Sequence, residues 1–170
     1  VLSHFAVHHQ TGQPLPVELA DKIRKAVTFN QGYALTELLG SASLDMQWDA
    51  LPPASPTPNA NTFETEALKR AGIDTSVVPP RYRSSYFLHI WANGYDAGYY
   101  AYLWAEMLDN DAFQWFQENG GLTRANGDRF REMILSRGNV SDYAQLYREF
   151  RGKDPSIEPM LRRRGIEVPR

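Results

Sequence analysis

Tyr86-Phe87-Leu88-His89-Ile90-Trp91-Ala92-Asn93-Gly94-Tyr95-Asp96-Ala97-Gly98-Tyr99-Tyr100-Ala101-Tyr102-Leu103-Trp104 is the stretch on which the reading of this chain turns. Six of the nine tyrosines and two of the four tryptophans lie between residues 82 and 104. From Ser84 to Trp104 the only formal charge is Asp96. A segment so aromatic and so uncharged must be buried or line a cleft. Tyr95, Tyr99 and Tyr102 fall at i, i+4 and i+7. A helix beginning near Tyr95 would put their hydroxyls on one face. Asn93-Gly94 supplies a turn that accepts positive φ and lets backbone approach a ligand, and His89 stands just before it. Phenols with a pKa of about 10 are neutral hydrogen-bond donors at physiological pH. Donors of that kind stabilise the oxyanion that develops in acyl transfer. The same tyrosines also suit a packed core with satisfied hydroxyls. On chemistry alone the core reading is favoured, because no nucleophile or metal-ligand set accompanies them.

Outward from this segment the chain reads as helices. Val17, Ala20, Ile23, Val27, Ala34, Leu35 and Leu38 predict a helix from Val17 to Leu39, followed by Gly40 and resuming to Trp48. Leu51–Asn61 holds four prolines and reads as a loop. Phe63–Arg70 is a short helix stopped by Gly72, and Thr75–Pro80 is a second loop. Asp96–Asn119 is predicted helical, with a break at Asp109–Asp111. Thr123 caps a helix to Arg137, ended by Gly138. Ser141 caps another to Arg151, and Ser156–Arg164 forms the last. Only Ser85–Ile90 alternates well enough to pass as a strand. The expectation is a mainly α fold, with residues 1–170 forming a single helical unit.

Composition narrows the function. The 170 residues carry 18 Lys and Arg against 20 Asp and Glu, a net charge of −2. That balance argues against nucleic acid as a partner. No run of about 18 apolar residues exists to span a membrane, and no basic-then-apolar leader opens the chain. The absence of cysteine excludes disulfides and Cys-ligated metal, and fits a reducing compartment. His4 and His8, with His9 beside them, have the spacing of a helical metal pair. Phe5 stands where a metallopeptidase helix carries its general-base Glu, so a solvated terminal helix is the better reading. Arg162-Arg163-Arg164 reads as a solvated helix end interacting with its dipole.

Three stretches resemble one family, the thimet oligopeptidase-like zinc metallopeptidases, and within it the peptidyl-dipeptidase (dipeptidyl carboxypeptidase) branch. They are Tyr86–Trp104, Phe113–Thr123 and Gly127–Gly138, and the order His, five residues, Tyr, six residues, Tyr is specific. The resemblance runs to about Gly165. It implies the helical C-terminal part of a zincin-type catalytic domain. It implies catalytic roles for His89, Tyr95 and Tyr102, which would contact the scissile peptide and stabilise the tetrahedral intermediate, with Tyr102 as the oxyanion donor. Asn93, Gly94 and Tyr99 would bind substrate. Many relatives have Gly-Gly-Tyr where this chain has Asn93-Gly94-Tyr95.

The family's His-Glu-x-x-His zinc motif is absent, and the chain starts at Val1 rather than Met. We therefore expect zinc to be bound upstream in a longer enzyme, with none held here and no turnover by these 170 residues alone. The implied partners are short peptide substrates and the N-terminal part of the same enzyme. The implied location is cytoplasmic. Arg81 and Arg83 could bind a substrate's terminal carboxylate, but surface arginines flanking a loop are the better reading, and neither is counted among the expected site residues. Two rival readings are a non-catalytic helical module holding peptide in a tyrosine-rich groove, and a purely structural domain.

Overall fold

Helices form where the hydrophobic period predicts them, but side chains that bind nearby backbone groups set their ends. The computed structural model describes residues 5–167. Its elements there are helical, apart from an isolated bridge between Val7 and Pro14. The mainly α expectation therefore holds. His8 lies in the turn closed by that bridge, not on a helix, and its Nδ1 accepts from the Gln10 and Thr11 amides. His4 lies outside the described residues.

The predicted helix from Val17 is broken earlier than expected. α1 (Val17–Ala26) and α2 (Gln31–Asp49) are separated at residues 27–30. Val27 and Thr28 are β-branched and favour helix weakly, and Asn30 turns left-handed at φ 56°. Gly40, expected to end the helix, sits inside α2. A Cβ there would lie 3.5 Å from Ile73 and 3.8 Å from Leu68, so the small residue seats α2 closely on its neighbour. That neighbour is α3 (Ala60–Arg70), which starts three residues before the predicted Phe63. The Asn59 side chain caps it by accepting the Asn61 and Thr62 amides.

Ser85–Ile90 is not a strand. Ser84–Tyr86 is a 3₁₀ turn, followed by the short helix α4 (Leu88–Ala92). The buried Glu64 carboxylate explains the turn. It accepts the Ser84 amide at 2.6 Å and the Ser84 hydroxyl at 3.0 Å, and it pairs with Arg83. The indoles of Trp48 and Trp91 donate to the Ser84 Oγ and carbonyl. With its backbone groups so engaged, this segment has no ladder to offer a partner strand.

α5 (Ala101–Glu118) begins five residues after the predicted Asp96 and runs unbroken through Asp109–Asp111. Asn110 donates to the Glu106 carbonyl at 2.7 Å, within the helix. α6 (Arg124–Phe130) is capped by Thr123 as predicted and continues as a π turn over Arg131–Leu135. α7 (Tyr143–Arg151) is capped by Asp142, not Ser141, because the Asp142 carboxylate takes the Gln145 amide. α8 (Glu158–Arg163) packs against α5. Arg164 is not a solvated helix end. It forks onto Glu106 at 2.6–3.1 Å and reaches Gln31 at the start of α2.

Apolar packing falls into three clusters. Ala42, Phe87, Ile90 and Tyr99 form one between α2 and the α4 region. Leu44, Phe63, Ala67 and Leu68 form another between α2 and α3, and Trp48 packs against both. Ala112, Trp115 and Phe150 form the third, under α5 and α7. α1 buries none of its residues.

A buried charge network underlies the third cluster. The Arg151 guanidinium donates to both Asp111 oxygens at 3.2 Å and to Glu118 at 2.6 Å, and Tyr147 donates to Asp111 at 2.8 Å. Asp111 is fully buried, and burial together with that carboxylate holds the Tyr147 phenol well above its usual range. Arg151→Leu strands the Asp111 charge and should lower unfolding free energy by about 3–5 kcal/mol. The double replacement of Asp111 and Arg151 by Leu should recover much of that loss. Urea denaturation of the three proteins measures both effects.

Candidate active-site wall

The site begins with one carboxylate. Asp45 lies on α2 with no exposed surface, and its oxygens accept the Ala97 amide at 3.1 Å and the Tyr99 amide at 2.9 Å. Asp49, one turn on, takes the same Ala97 amide at 2.9 Å. Burial raises the Asp45 pKa, and the two amide donors offset that only in part. These bonds hold residues 94–100 as a turn. Ala97 is left-handed there at φ 52°, a conformation that costs a non-glycine residue free energy. Gly94 also has positive φ (72°), and a Cβ there would meet nothing within 4 Å, so backbone conformation rather than crowding requires the glycine.

The predicted tyrosine face is therefore not one helix. Tyr95 lies on the turn, Tyr99 at its end and Tyr102 in the first turn of α5. Their rings meet nonetheless. Tyr95 stacks on Tyr102 with centroids 5.3 Å apart and planes 12° apart, and Tyr99 lies 4.9 Å from Tyr102. His89, on α4, has its ring 5.8 Å from Tyr95, 5.8 Å from Tyr99 and 6.3 Å from Tyr102. The Tyr95 amide donates to the His89 carbonyl at 3.3 Å, which ties the turn to the histidine.

His89, Tyr99 and Tyr102 border one open cavity of about 360 Å³, with Arg81, Tyr82 and Glu106. Tyr102 is 39% exposed and Tyr99 only 4%. Tyr99 thus packs chiefly as core, against Phe87 at 4.9 Å. Asn93 and Gly94 are exposed at the turn, and neither borders the cavity. Tyr82 was not singled out from sequence. Its ring lies 5.1 Å from Phe87 and 5.5 Å from His89. Asp45 was also missed, although it is the only acid between Leu38 and Trp48, an otherwise helical and largely apolar run.

The phenols are held neutral. The Tyr95 hydroxyl beside it, then burial, push Tyr102 up to about 12. Burial raises Tyr99. The two arginines separate: Arg83 is engaged by Glu64, whereas Arg81 lies with its guanidinium carbon 5.7 Å from the Tyr82 ring centroid, at the cavity. Glu106 is occupied by Arg164.

An imidazole and neutral phenols border one cavity and present hydrogen-bond donors to it. Residues 1–166 match Peptidase family M3, and the chain belongs to that family. It is 52% identical over 168 residues to the dipeptidyl carboxypeptidase of Escherichia coli K12, covering 99% of this chain and 25% of that protein. It is 36% identical over 168 residues to oligopeptidase A of the same organism, covering 98% of this chain and 24% of that one. It is 27% identical to saccharolysin of Saccharomyces cerevisiae over 168 residues, 98% of this chain and 23% of that protein. The chain thus spans about a quarter of the length of these relatives. Among the described residues no three His, Cys, Asp or Glu side chains converge to hold a metal ion, so these residues do not fit a zinc site. Nor is any described helix long and apolar enough to cross a membrane.

The contact between Tyr95 and Tyr102 makes a spectroscopic prediction. A raised phenol pKa means Tyr102 stays protonated through the range where an ordinary tyrosine ionises near 10. In Tyr95→Phe the Tyr102 phenol should titrate closer to 10. Ultraviolet difference titration of each protein against its Tyr102→Phe counterpart isolates this one phenol. An unchanged titration in Tyr95→Phe would overturn the assignment.

Proposed function

We propose that this chain is the oxyanion-side wall of a cytoplasmic metallopeptidase that releases C-terminal dipeptides from short peptides. The observation that carries the reading is the meeting of the His89, Tyr95 and Tyr102 rings, with His89 and the neutral Tyr102 phenol bordering one cavity. The 52% identity to a dipeptidyl carboxypeptidase supports the reaction class. The zinc on which such an enzyme relies would be held by residues outside this chain, and no step here is routed through it.

Within this wall the roles follow from chemistry. Tyr102 is partly exposed and neutral, so it donates to the carbonyl oxygen of the scissile bond as negative charge builds there. His89 hydrogen-bonds the same peptide unit, and Tyr95 both holds substrate backbone and fixes the Tyr102 ring by stacking. In the full-length peptidase, Tyr102→Phe should lower kcat about 10²–10³-fold, the usual loss for one oxyanion donor. Stopped assays on a blocked tetrapeptide measure this. An unchanged kcat would remove Tyr102 from catalysis and favour a module that binds peptide without chemistry.

Dipeptide release requires the enzyme to find the free carboxylate two residues beyond the scissile bond. Arg81 borders the cavity beside Tyr82 and Tyr99 and makes no ion pair among the described residues. A guanidinium flanked by phenols is a carboxylate anchor. Arg81→Gln in the full-length peptidase should cut kcat/KM about 10–100-fold for a peptide with a free C-terminus, by the usual worth of a charged hydrogen bond. It should leave cleavage of the corresponding C-terminal amide nearly unchanged. Equal effects on acid and amide would exclude Arg81 as the anchor.

A further inference from the structure

We propose that Asp45 is a positioning residue for catalysis: from inside α2 it sets the turn that brings Tyr95 onto Tyr102. This rests on the peptidase reading of the wall, and it concerns a group that touches no substrate.

The argument starts from what the turn lacks. Residues 94–100 belong to neither flanking helix, and Ala97 is held left-handed without being glycine. Such a conformation persists only where the surroundings over-determine it. Here the surroundings are two carboxylates. Asp45 spans the Ala97 and Tyr99 amides, one oxygen to each, and Asp49 shares the Ala97 amide. From those two amides the bonds run directly to the site. The Gly98 amide donates to the Tyr95 carbonyl at 2.8 Å, and the Tyr95 amide to the His89 carbonyl. The Tyr102 amide donates to the Tyr99 carbonyl at 3.3 Å. All three residues assigned to catalysis are thus one or two backbone bonds from Asp45. A fully buried carboxylate is costly to keep unless its acceptors are used, and both oxygens of Asp45 are used on this turn alone.

Asp45→Asn preserves the shape but presents an amide N–H₂ to a backbone donor. A small misplacement of a reacting group costs up to about 10²-fold in rate. In the full-length, metal-loaded peptidase, Asp45→Asn should lower kcat about 10–100-fold with KM within about twofold of wild type. A simple loss of fold would lower activity independently of Tyr102. A positioning role would not, so Asp45→Asn should cost clearly less in a Tyr102→Phe background than in wild type, the remainder acting through Tyr95 and His89. Amide hydrogen exchange at Ala97 and Tyr99 should speed up in the single variant. If Asp45→Asn fails to fold, Asp49→Asn removes only the shared acceptor. It should then give a smaller kcat loss, likewise reduced in Tyr102→Phe. Additive losses, a kcat within twofold of wild type, or unchanged exchange would each overturn the positioning role while leaving the peptidase reading intact. A full-length protein without peptidase activity would overturn both.

Discussion

The Asp45 carboxylate is enclosed on every side, and both its oxygens are spent on the backbone of a turn far along the chain. Two costs offset each other there. An enclosed carboxylate loses hydration, and that burial, with the Asp49 carboxylate nearby, raises its pKa. The Ala97 and Tyr99 amides, leaving helical geometry at a left-handed residue, have no helical acceptor, and a buried amide without a partner costs about 1–3 kcal/mol. Bringing the two together satisfies both. The consequence is mechanical. Ala42 and Leu44, both just before Asp45 on α2, pack into different clusters, so α2 is fixed against α3 and against the α4 region together. The turn inherits that fixity, and the tyrosine rings inherit it from the turn.

Elsewhere the same device recurs with different partners. Glu64 organises Ser84 and Arg83, Asp111 gathers Tyr147 and Arg151, and Arg164 joins Glu106 to Gln31. In each case a charged side chain on one helix fixes a group distant in sequence. The apolar clusters are small and separate, and apolar burial is non-directional. It fills the space between helices without specifying how they turn against one another. Directional charge-assisted bonds supply that specificity. This explains why polar residues are so well represented among the buried side chains, where Asp45, Asp111 and Ser41 sit beside Phe87 and Phe150.

Helix existence was legible because apolar spacing is written locally. Helix ends were less so, and the misses share a cause. Gly40 reads as a stop because glycine disfavours helix, yet contact with Leu68 and Ile73 overrides propensity. Ser85–Ile90 alternates like a strand, but Glu64, twenty residues before Ser84, captures the Ser84 amide at its entrance, and the Tyr86 and Ile90 amides close local turns on Arg83 and Phe87. Asp96 reads as a helix start because the acceptors that keep Ala97 out of the helix, Asp45 and Asp49, lie some fifty residues away. His89, Tyr95 and Tyr102 could be found from their spacing and family resemblance, and they do come together. The reason differs from the one the spacing suggested: a pinned turn, not a shared helical face, stacks Tyr95 on Tyr102. Tyr82 had no such signal, since its place at the cavity is decided by packing on Phe87.

The choice of phenols at this cavity has its own logic. A neutral donor strengthens its hydrogen bond as charge builds on a carbonyl oxygen, and carries no charge of its own for free anions to compete for. That gain requires the donor to keep its proton, and the neighbouring phenol ensures it by pushing Tyr102 up to about 12. It also requires that no bare anion stand close by. Glu106 borders the cavity and would oppose an oxyanion if left free, but the forked contact from Arg164 neutralises it. The residue just beyond the last helix therefore serves the cavity electrostatically as well as the fold. Arg81 then remains as a cation at the cavity that makes no ion pair among the described residues, and on the proposed reading it would orient a carboxylate. On the proposed reading, neutral donors and a cation bordering one cavity are what would let one wall distinguish the bond to be broken from the end of the chain.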